Sequence, residues 1–188
     1  AGLDIAKDNA RTVLTWGRTM PNEDVFQPNI KEVQGWMSTQ EDYEIQHRQI
    51  LECLIENNIE LLYADYTGVG KPVIDRLTHA VGEHVEIVPY NFSQPSKSDM
   101  WFALQEDIRT GRLIIPGNKN VRQTDDFVNF EQQMKGLLKS YKGSYLVASA
   151  EAGEHDDYCD SIGLFVLAGN SDVQEDIAEE GFNPFFDG

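Results

Sequence analysis

Two apolar stretches of the sequence each contain a single aspartate. Asp4 is the only charged residue in residues 1–6, and Asp65 is the only charged residue in residues 61–69. Both stretches are predicted to be buried strands, where an ionised carboxylate without a partner is costly. A structural explanation stays open for each aspartate, because strand ends and turns also favour this residue type. The alternative is that a bound cation compensates both carboxylates.

A third acidic stretch, His155-Asp-Asp-Tyr-Cys-Asp160, opens the last predicted helix. It carries three aspartates and a histidine immediately before the apolar run 162–168. On a helix, Asp156 and Asp160 share a face, whereas Asp157 lies about 100° round the axis. One carboxylate would suffice to complement the positive end of the helix dipole. Three carboxylates repel one another unless a cation lies between them, which favours metal ligands.

These aspartates form one site if the first and fourth predicted strands are neighbours and the last helix begins beside them. Carboxylate oxygens are hard ligands that suit Mg²⁺ or Mn²⁺ and not zinc. Two such ions, about 3.5–4 Å apart, can hold a phosphodiester, activate a water and stabilise the leaving oxygen. The sequence therefore predicts metal-dependent phosphodiester hydrolysis by Asp4, Asp65 and the Asp156/Asp157 pair.

Two other motifs suggest chemistry but lack the residues that it needs. Gly68-Val-Gly-Lys71 resembles part of a phosphate-binding loop, but the first glycine of that pattern falls on Asp65. Pro72 also stands where the pattern requires Ser or Thr. Cys159 has no second Cys/His pair at ligand spacing, which favours packing in the helix over a zinc or nucleophilic site.

Composition limits the class of protein. The chain has 188 residues, with 15 Lys+Arg against 32 Asp+Glu, and a formal net charge of −17. It has no run of about 18 apolar residues and no basic-then-apolar leader, so we expect neither a membrane span nor a secretory signal. Cys53 and Cys159, without a CxxC motif, are expected to be reduced thiols of an intracellular protein. The acidity argues against purely electrostatic binding to nucleic acid, although metal ions can neutralise a site that meets phosphate.

The elements that must position the aspartates follow from residue patterns. A meander of three strands is predicted to precede strands that alternate with helices, which gives a mixed sheet covered by helices. An RNase H-like fold is the best-known arrangement of that order, and a doubly wound fold is the alternative. The predicted strands are 1–6, 11–18, 30–38, 59–66, 84–90, 113–116 and 144–150, and the predicted helices are 40–57 (capped by Thr39), 71–81, 96–110, 124–141 and 155–168. The acidic tail 169–188 is expected to be mobile.

Four stretches, in this order and spacing, resemble the nuclease domain of the large terminase subunit of tailed bacteriophages, a DNA-packaging motor protein. They are Gly2-Leu-Asp-Ile-Ala6 with Thr12-Val-Leu14, Ala64-Asp-Tyr-Thr-Gly-Val-Gly-Lys-Pro-Val73, the middle segment with Phe92, Lys97, Met100 and Gly111-Arg-Leu-Ile-Ile-Pro116, and His155-Asp-Asp-Tyr-Cys-Asp-Ser161. The resemblance covers about residues 1–168. One departure is Ala10-Arg11 before Thr12, where family members often carry an acid, and whether Asp8 replaces that acid stays open.

The resemblance implies an α/β, RNase H-like nuclease domain over residues 1–168. It implies an endonuclease that cuts double-stranded concatemeric DNA with little sequence preference, using two Mg²⁺ or Mn²⁺ ions. Asp4, Asp65 and Asp157 would be the metal-binding, catalytic carboxylates, with Asp156 close behind. The supporting residues would be Asp160, His155 and Lys97. Lys97 would bind phosphate or a neighbouring carboxylate, and the alternative of a solvent-exposed lysine stays open.

The resemblance also implies partners that the sequence does not contain. The full-length protein would carry an ATPase motor domain, which fits the start of this chain directly in a predicted core strand. It would work with the portal and the small terminase subunit in the host cell cytoplasm during viral assembly, with no membrane partner. Two alternatives stay open: another RNase H-like nuclease such as a Holliday-junction resolvase, and a non-enzymatic acidic binding module.

Overall fold

A computed structural model describes residues 1–6, 10–22, 27–68 and 70–179, with side chains described up to residue 171. The strands are β1 (Gly2–Asp4), β2 (Thr12–Met20), β3 (Ile30–Thr39), β4 (Leu61–Asp65), β5 (Glu86–Tyr90), β6 (Leu113–Ile114), β7 (Leu138–Lys142) and β8 (Tyr145–Ser149). The helices are α1 (Tyr43–Glu56), α2 (Gly70–Val81), α3 (Gln94–Arg109), α4 (Lys119–Arg122), α5 (Asp125–Gly136) and α6 (Asp157–Glu179).

The main sheet has six strands in the order β5-β4-β1-β2-β3-β6. β1, β2 and β3 form the predicted antiparallel meander. β4 runs parallel to β1, β5 runs parallel to β4, and β6 runs parallel to β3. The predicted mixed sheet is therefore confirmed, including the neighbouring first and fourth strands on which the proposed site depends.

Helices cover both faces of this sheet, and adjacent residues of a strand face different helices. Leu14 belongs to a core cluster with residues of α1 and α2, such as Ile50 and Leu77. Its neighbour Val13 belongs to the other cluster, with residues of α3, α5 and α6 such as Phe165. Among the described residues, none of the helices combines the length and apolar character that a membrane span needs.

The first helix begins later than predicted. Thr39 is the last residue of β3 and does not cap the helix. Asp42 is the cap instead, because its carboxylate accepts hydrogen bonds from the backbone N–H groups of Glu44 and Ile45. A carboxylate at this position satisfies backbone donors that lack partners within the helix, so the helix starts where the cap is.

The predicted helix 124–141 is wrong in its last five residues. α5 ends at Gly136, and Leu137 is already extended. Residues 138–142 form β7, which pairs with β8 in a separate two-stranded sheet. The spacing of the apolar residues is compatible with a helix and with a strand, and pairing with β8 stabilises the strand. The short helix α4 also escaped prediction, because its four residues are too few to show a period.

The last helix is longer than predicted. α6 continues from Asp157 through Ala168 to Glu179, so it crosses the predicted boundary between the domain and the tail. Its extension has a tertiary contact, since Lys31 of β3 donates a hydrogen bond to Asn170. The rest of the predicted mobile tail, 180–188, and Asp8 lie outside the described residues. The division into a domain and a mobile tail stays a prediction.

Candidate metal centre

The two aspartates of the sheet lie side by side at the carboxyl ends of adjacent strands. β1 and β4 are paired in parallel with Leu3 opposite Ala64, so the next step of the register places Asp4 beside Asp65. Leu3 and Ala64 pack towards α1 and α2. Because side chains alternate along a strand, both aspartates face the opposite side, which α6 covers. Both are buried, as predicted, with 8% and 6% of their surface exposed.

The approach of α6 to β1 depends on the absence of a side chain at Gly2. A Cβ atom there would lie 2.2 Å from the backbone nitrogen of Phe165 and 2.2 Å from the carbonyl oxygen of Ser161. Ser161 also donates a hydrogen bond from its hydroxyl to the carbonyl oxygen of Gly2, at 2.9 Å. This contact brings the first turns of α6 next to Asp4.

Asp157 and Asp160 of α6 are buried and complete the acidic centre, which we define as Asp4, Asp65, Asp157 and Asp160. Asp157 accepts a hydrogen bond at Oδ2 from the backbone N–H of Arg11, at 3.0 Å. Asp160 Oδ2 lies 2.5 Å from Lys97 Nζ of α3. Asp160 Oδ1 is buried and has no hydrogen-bond partner within the described part of the chain.

The ionisation of the acidic centre reflects burial and crowding. Burial, followed by repulsion from Asp160, Asp157 and Asp65, raises the pKa of Asp4 well above its ordinary value. Burial raises the pKa of Asp160 to about 7, although Lys97 opposes this shift. Burial also raises the pKa of Asp157, against the hydrogen bond from Arg11. The fold therefore concentrates more negative charge at this point than its own residues neutralise.

Lys97 is the cation that faces these carboxylates. Although burial works in the opposite direction, Asp160, Asp156 and Asp4 raise the pKa of Lys97 above its ordinary value. Its ammonium also lies 4.7 Å from the centre of the Phe92 ring. Lys97 is therefore neither a freely exposed lysine nor turned away from the acids, because it pairs with the neighbouring carboxylate of Asp160.

Asp156 and His155 lie at the rim of the acidic centre. Asp156 directly precedes α6 and is half-buried, and its carbonyl oxygen accepts the backbone N–H of Asp160 at 2.9 Å. The His155 side chain is 51% exposed, and its Nδ1 lies 4.0 Å from Asp157 Oδ2. Of the adjacent aspartates, Asp157 is thus the one whose side chain is enclosed with Asp4.

The acidic centre has the ligand types for a hard divalent cation but not a closed set of ligands. Within the described residues, no three His, Cys, Asp or Glu side chains are arranged to hold one metal ion together. The raised pKa of Asp4 and the buried Oδ1 of Asp160 without a partner nevertheless leave negative charge for a cation to neutralise. Oxygen-only donors match Mg²⁺ or Mn²⁺ better than zinc.

The residues that follow Asp65 form a turn and not a phosphate-binding loop. The backbone N–H of Thr67 donates a hydrogen bond to Asp65 Oδ1 at 2.9 Å. A Cβ atom on Gly70 would lie 2.3 Å from the carbonyl oxygen of Asp65, so glycine is required where the chain returns. Cys159 is fully buried in the core, and burial raises the pKa of its thiol, which confirms packing as its role.

Two residues that shape the site, Arg11 and Ser161, are not among the predicted site residues, although Ser161 ends the last of the stretches that carry the resemblance. Arg11 holds Asp157 through its backbone N–H, which any residue but proline provides. Ser161 anchors α6 to β1, and its hydroxyl also lies 2.7 Å from the hydroxyl of Thr15. Each contact joins positions 146 or more residues apart, so only the fold brings them together.

The model of one protein family, the terminase RNaseH-like domain, matches residues 22–168. The chain belongs to this family. No curated protein sequence matches the chain.

Solved structures of terminase nucleases share the fold of this terminase domain. The nuclease domain of the large terminase subunit gp2 of bacterial virus Sf6 superimposes with a TM-score of 0.61 at 9% identity, over 88% of each chain. The large terminase nuclease from thermophilic phage G20c, with bound cobalt, gives 0.55 at 15% identity, over 88% of this chain and 90% of that one. A mutant Sf6 nuclease domain with manganese gives 0.60 at 10% identity, over 74% and 82%. The predicted RNase H-like fold is confirmed.

The match to the terminase family model does not extend over the whole acidic centre. It includes Asp65, Lys97 and the stretch 155–160, but it begins after Asp4. The place of Asp4 in the centre therefore depends on the pairing of β1 with β4 and on its burial.

Proposed function

We propose that this terminase domain is a metal-dependent endonuclease that cuts double-stranded concatemeric DNA with little sequence preference. The observation that carries the proposal is the burial of Asp4 beside Asp65 and under α6, with a strongly raised pKa. A fold keeps such an unfavourable charge where a ligand compensates it, and perturbed carboxylates cluster at functional sites. Membership of the terminase RNaseH-like family supports the same chemistry.

In the proposal, Asp4, Asp65 and Asp157 hold two Mg²⁺ or Mn²⁺ ions, with Asp156 as a further ligand at the rim. When bound, the ions supply charge stabilisation at the scissile phosphate and a water of lowered pKa. The related Sf6 and G20c structures were solved with manganese and with bound cobalt, which supports a divalent cation for this chain as well. Hydrolysis would leave 5′-phosphate and 3′-hydroxyl ends.

The surrounding residues of the chain orient these carboxylates. The N–H of Arg11 fixes one oxygen of Asp157, so that its other oxygen is left for a ligand. Lys97 binds Asp160 and thereby keeps one negative charge of the centre neutralised before a cation arrives. His155, exposed beside Asp157, can donate a hydrogen bond to an incoming phosphate oxygen.

The proposal includes the setting of the activity. The domain would act within a large terminase subunit that also carries an ATPase motor, together with the portal and the small subunit. This assembly would work in the host cell cytoplasm while viral DNA is packaged. Family membership supports this setting.

The test is linearisation of supercoiled plasmid DNA by the purified domain with Mg²⁺, with Mn²⁺ and with EDTA. Asp65→Asn is compared with the wild type, and Glu83→Gln, at an exposed position, is the matched control. We expect metal-dependent cutting by the wild type and the control, and a loss on the order of 100-fold or more in Asp65→Asn.

Three outcomes would contradict parts of the proposal. Full Mn²⁺-dependent cleavage by Asp65→Asn would remove Asp65 from the ligands. A strong preference for four-way junctions over linear duplex would indicate a Holliday-junction resolvase. No cutting, together with no binding of divalent ions in calorimetry, would indicate an acidic binding module.

A further inference from the structure

One segment of this acidic chain has the opposite charge. Residues 132–150 contain no Asp or Glu, although the whole chain has 32 of them, and they contain Lys135, Lys139 and Lys142. This segment comprises the end of α5 and the two strands β7 and β8. A basic surface on a protein with a net charge of −17 marks the part that a polyanion can approach without repulsion.

The β7–β8 hairpin presents this charge to solvent. All five residues of β7 are exposed. Tyr141 and Leu138 keep more than half of their surface accessible, and Tyr145 on β8 is also exposed. The ammonium of Lys139 lies 5.5 Å from the centre of the Tyr141 ring. The hairpin therefore combines cations with exposed aromatic and apolar surface.

The two lysines of the hairpin pair with no acid in the part of the chain that the structure describes. Within the described residues, neither Lys139 nor Lys142 has a carboxylate partner, and Lys139 donates instead to the neutral Gln105. Lys135, by contrast, pairs with Glu131 at 3.2 Å, and Arg48 pairs with Glu52 at 4.0 Å. A cation that is already paired with a carboxylate attracts a phosphate less strongly. Lys139 and Lys142 are therefore better able to bind a phosphate than Lys135 and Arg48 are.

The hairpin is fixed next to the acidic centre. Leu146 of β8 is buried, and its backbone N–H donates a buried hydrogen bond to Ser98 Oγ at 2.9 Å. Ser98 follows Lys97, whose ammonium contacts Asp160. A cleft of about 310 Å³ lies between the hairpin and α3, with Lys142 on one side and Lys97 on the other.

We propose that the β7–β8 hairpin binds the phosphate backbone of duplex DNA beside the cleavage point, through Lys139 and Lys142. This inference rests on the proposed function, which brings the scissile phosphate to the acidic centre next to the hairpin. Lys139 and Lys142 are three residues apart on one strand, about 10 Å along it, so their side chains leave opposite faces of the hairpin. The major groove of DNA admits a two-stranded ribbon between its two phosphate backbones, so each lysine can meet the backbone on its own side of the hairpin.

The test compares two double variants with the same change in net charge. Lys139→Gln/Lys142→Gln removes the unpaired lysines of the hairpin, and Lys135→Gln/Arg48→Gln removes two cations that are paired with acids. Binding to a 30-base-pair duplex is measured by fluorescence anisotropy at several salt concentrations, with Ca²⁺ replacing Mg²⁺ to prevent cutting. Thermal unfolding by circular dichroism shows that each variant is folded.

We expect the hairpin variant to bind the duplex about 10-fold more weakly at low salt. The slope of log K against log [salt] should become shallower by about 2, because each lost phosphate contact removes about 0.9. The paired control should keep the wild-type slope. Equal changes in both variants, an unchanged slope in the hairpin variant, or an effect confined to single-stranded DNA would each overturn the inference.

A cleavage assay separates this inference from the proposed function. If the wild type neither cuts DNA nor binds a divalent ion in calorimetry, the proposed function fails, whatever the binding slopes are. If the wild type cuts and the hairpin variant binds with the wild-type slope, only the hairpin inference fails. If both hold, the hairpin variant should cut duplex DNA more slowly than the wild type, and the difference should grow as the salt concentration rises.

Discussion

Asp4 is a buried carboxylate that lies among other carboxylates. Its neighbours Leu3 and Ile5 are core residues, so the strand places its carboxylate in an interior that disfavours charge. The fold adds three further carboxylates around it instead of a matching set of cations. This cost lowers the stability of the folded protein. Because folding raises the pKa of Asp4, the cost grows as the pH rises.

The first prediction concerns that cost in metal-free protein. Because the pKa of Asp4 is raised on folding, the protonated folded state is favoured, and stability is lost as pH rises from the unfolded pKa, near 4, through the raised folded pKa. Asp4→Asn removes this loss. In EDTA at pH 8 the variant should have a free energy of unfolding higher than the wild type by about 1 kcal/mol or more.

Urea denaturation at pH 4, 6 and 8 checks this expectation. The difference between Asp4→Asn and wild type should be small at pH 4 and should grow towards pH 8. Glu83→Gln, which is exposed, should show no such growth. An Asp4→Asn variant less stable than the wild type at pH 8 would show that the carboxylate is compensated within the protein.

At the scale of elements, the site depends on how closely α6 packs on β1. Gly2 permits backbone contact between them, and the hydrogen bond from Ser161 to the carbonyl oxygen of Gly2 maintains it. Asp157 and Asp160 belong to α6 and would move with it, whereas Asp4 belongs to β1. A change in the distance between the two elements would therefore move one pair of carboxylates away from the other.

The second prediction tests this contact with two glycine substitutions. Gly2→Ala places a methyl group against backbone atoms that cannot move aside, and it should lower the free energy of unfolding by about 3 kcal/mol or more. Gly136→Ala, at the end of α5 with open space around it, should stabilise the protein by up to about 1 kcal/mol. Urea midpoints measure both, and a wild-type midpoint for Gly2→Ala would contradict the close approach.

At the scale of the whole molecule, charge is the dominant property. A net charge of −17 repels DNA over most of the surface, whereas the proposed function requires the acidic centre to receive a phosphate. Divalent cations at the centre would convert the most repulsive point of the surface into an attractive one. Binding of DNA should therefore depend on metal even when no cutting takes place.

The third prediction follows for the isolated domain. In EDTA at physiological salt it should bind duplex DNA more weakly than micromolar, and Ca²⁺ should tighten binding by about 10-fold or more. Fluorescence anisotropy measures both affinities, with monovalent salt added to match the ionic strength of the Ca²⁺ sample. Asp65→Asn should lose most of the gain. Nanomolar binding in EDTA would show that cations of the protein alone suffice.

The sequence was a good guide to strands and helices of regular period, and a poor one where two periods compete. The β-branched and aromatic residues of β2, the apolar stretch of β4 and the glycine turn after Asp65 predicted the correct elements, and the order of the elements predicted the correct neighbours in the sheet. Residues 137–142 satisfied a helical spacing equally well, and only the partner strand β8 made them extended. The end of α6 was missed for a similar reason, since Asn170 lies beyond the apolar run and is bound by Lys31.

By itself, the sequence determined which residues could carry the chemistry. A carboxylate within an apolar strand is conspicuous because the cost of burying charge depends on its immediate neighbours, and this identified Asp4 and Asp65. Only the tertiary structure decided that Asp157 is enclosed with them while Asp156 stays at the rim, and that Lys97 pairs with Asp160. These choices depend on how distant elements pack, and that packing has no counterpart in the local order of residues.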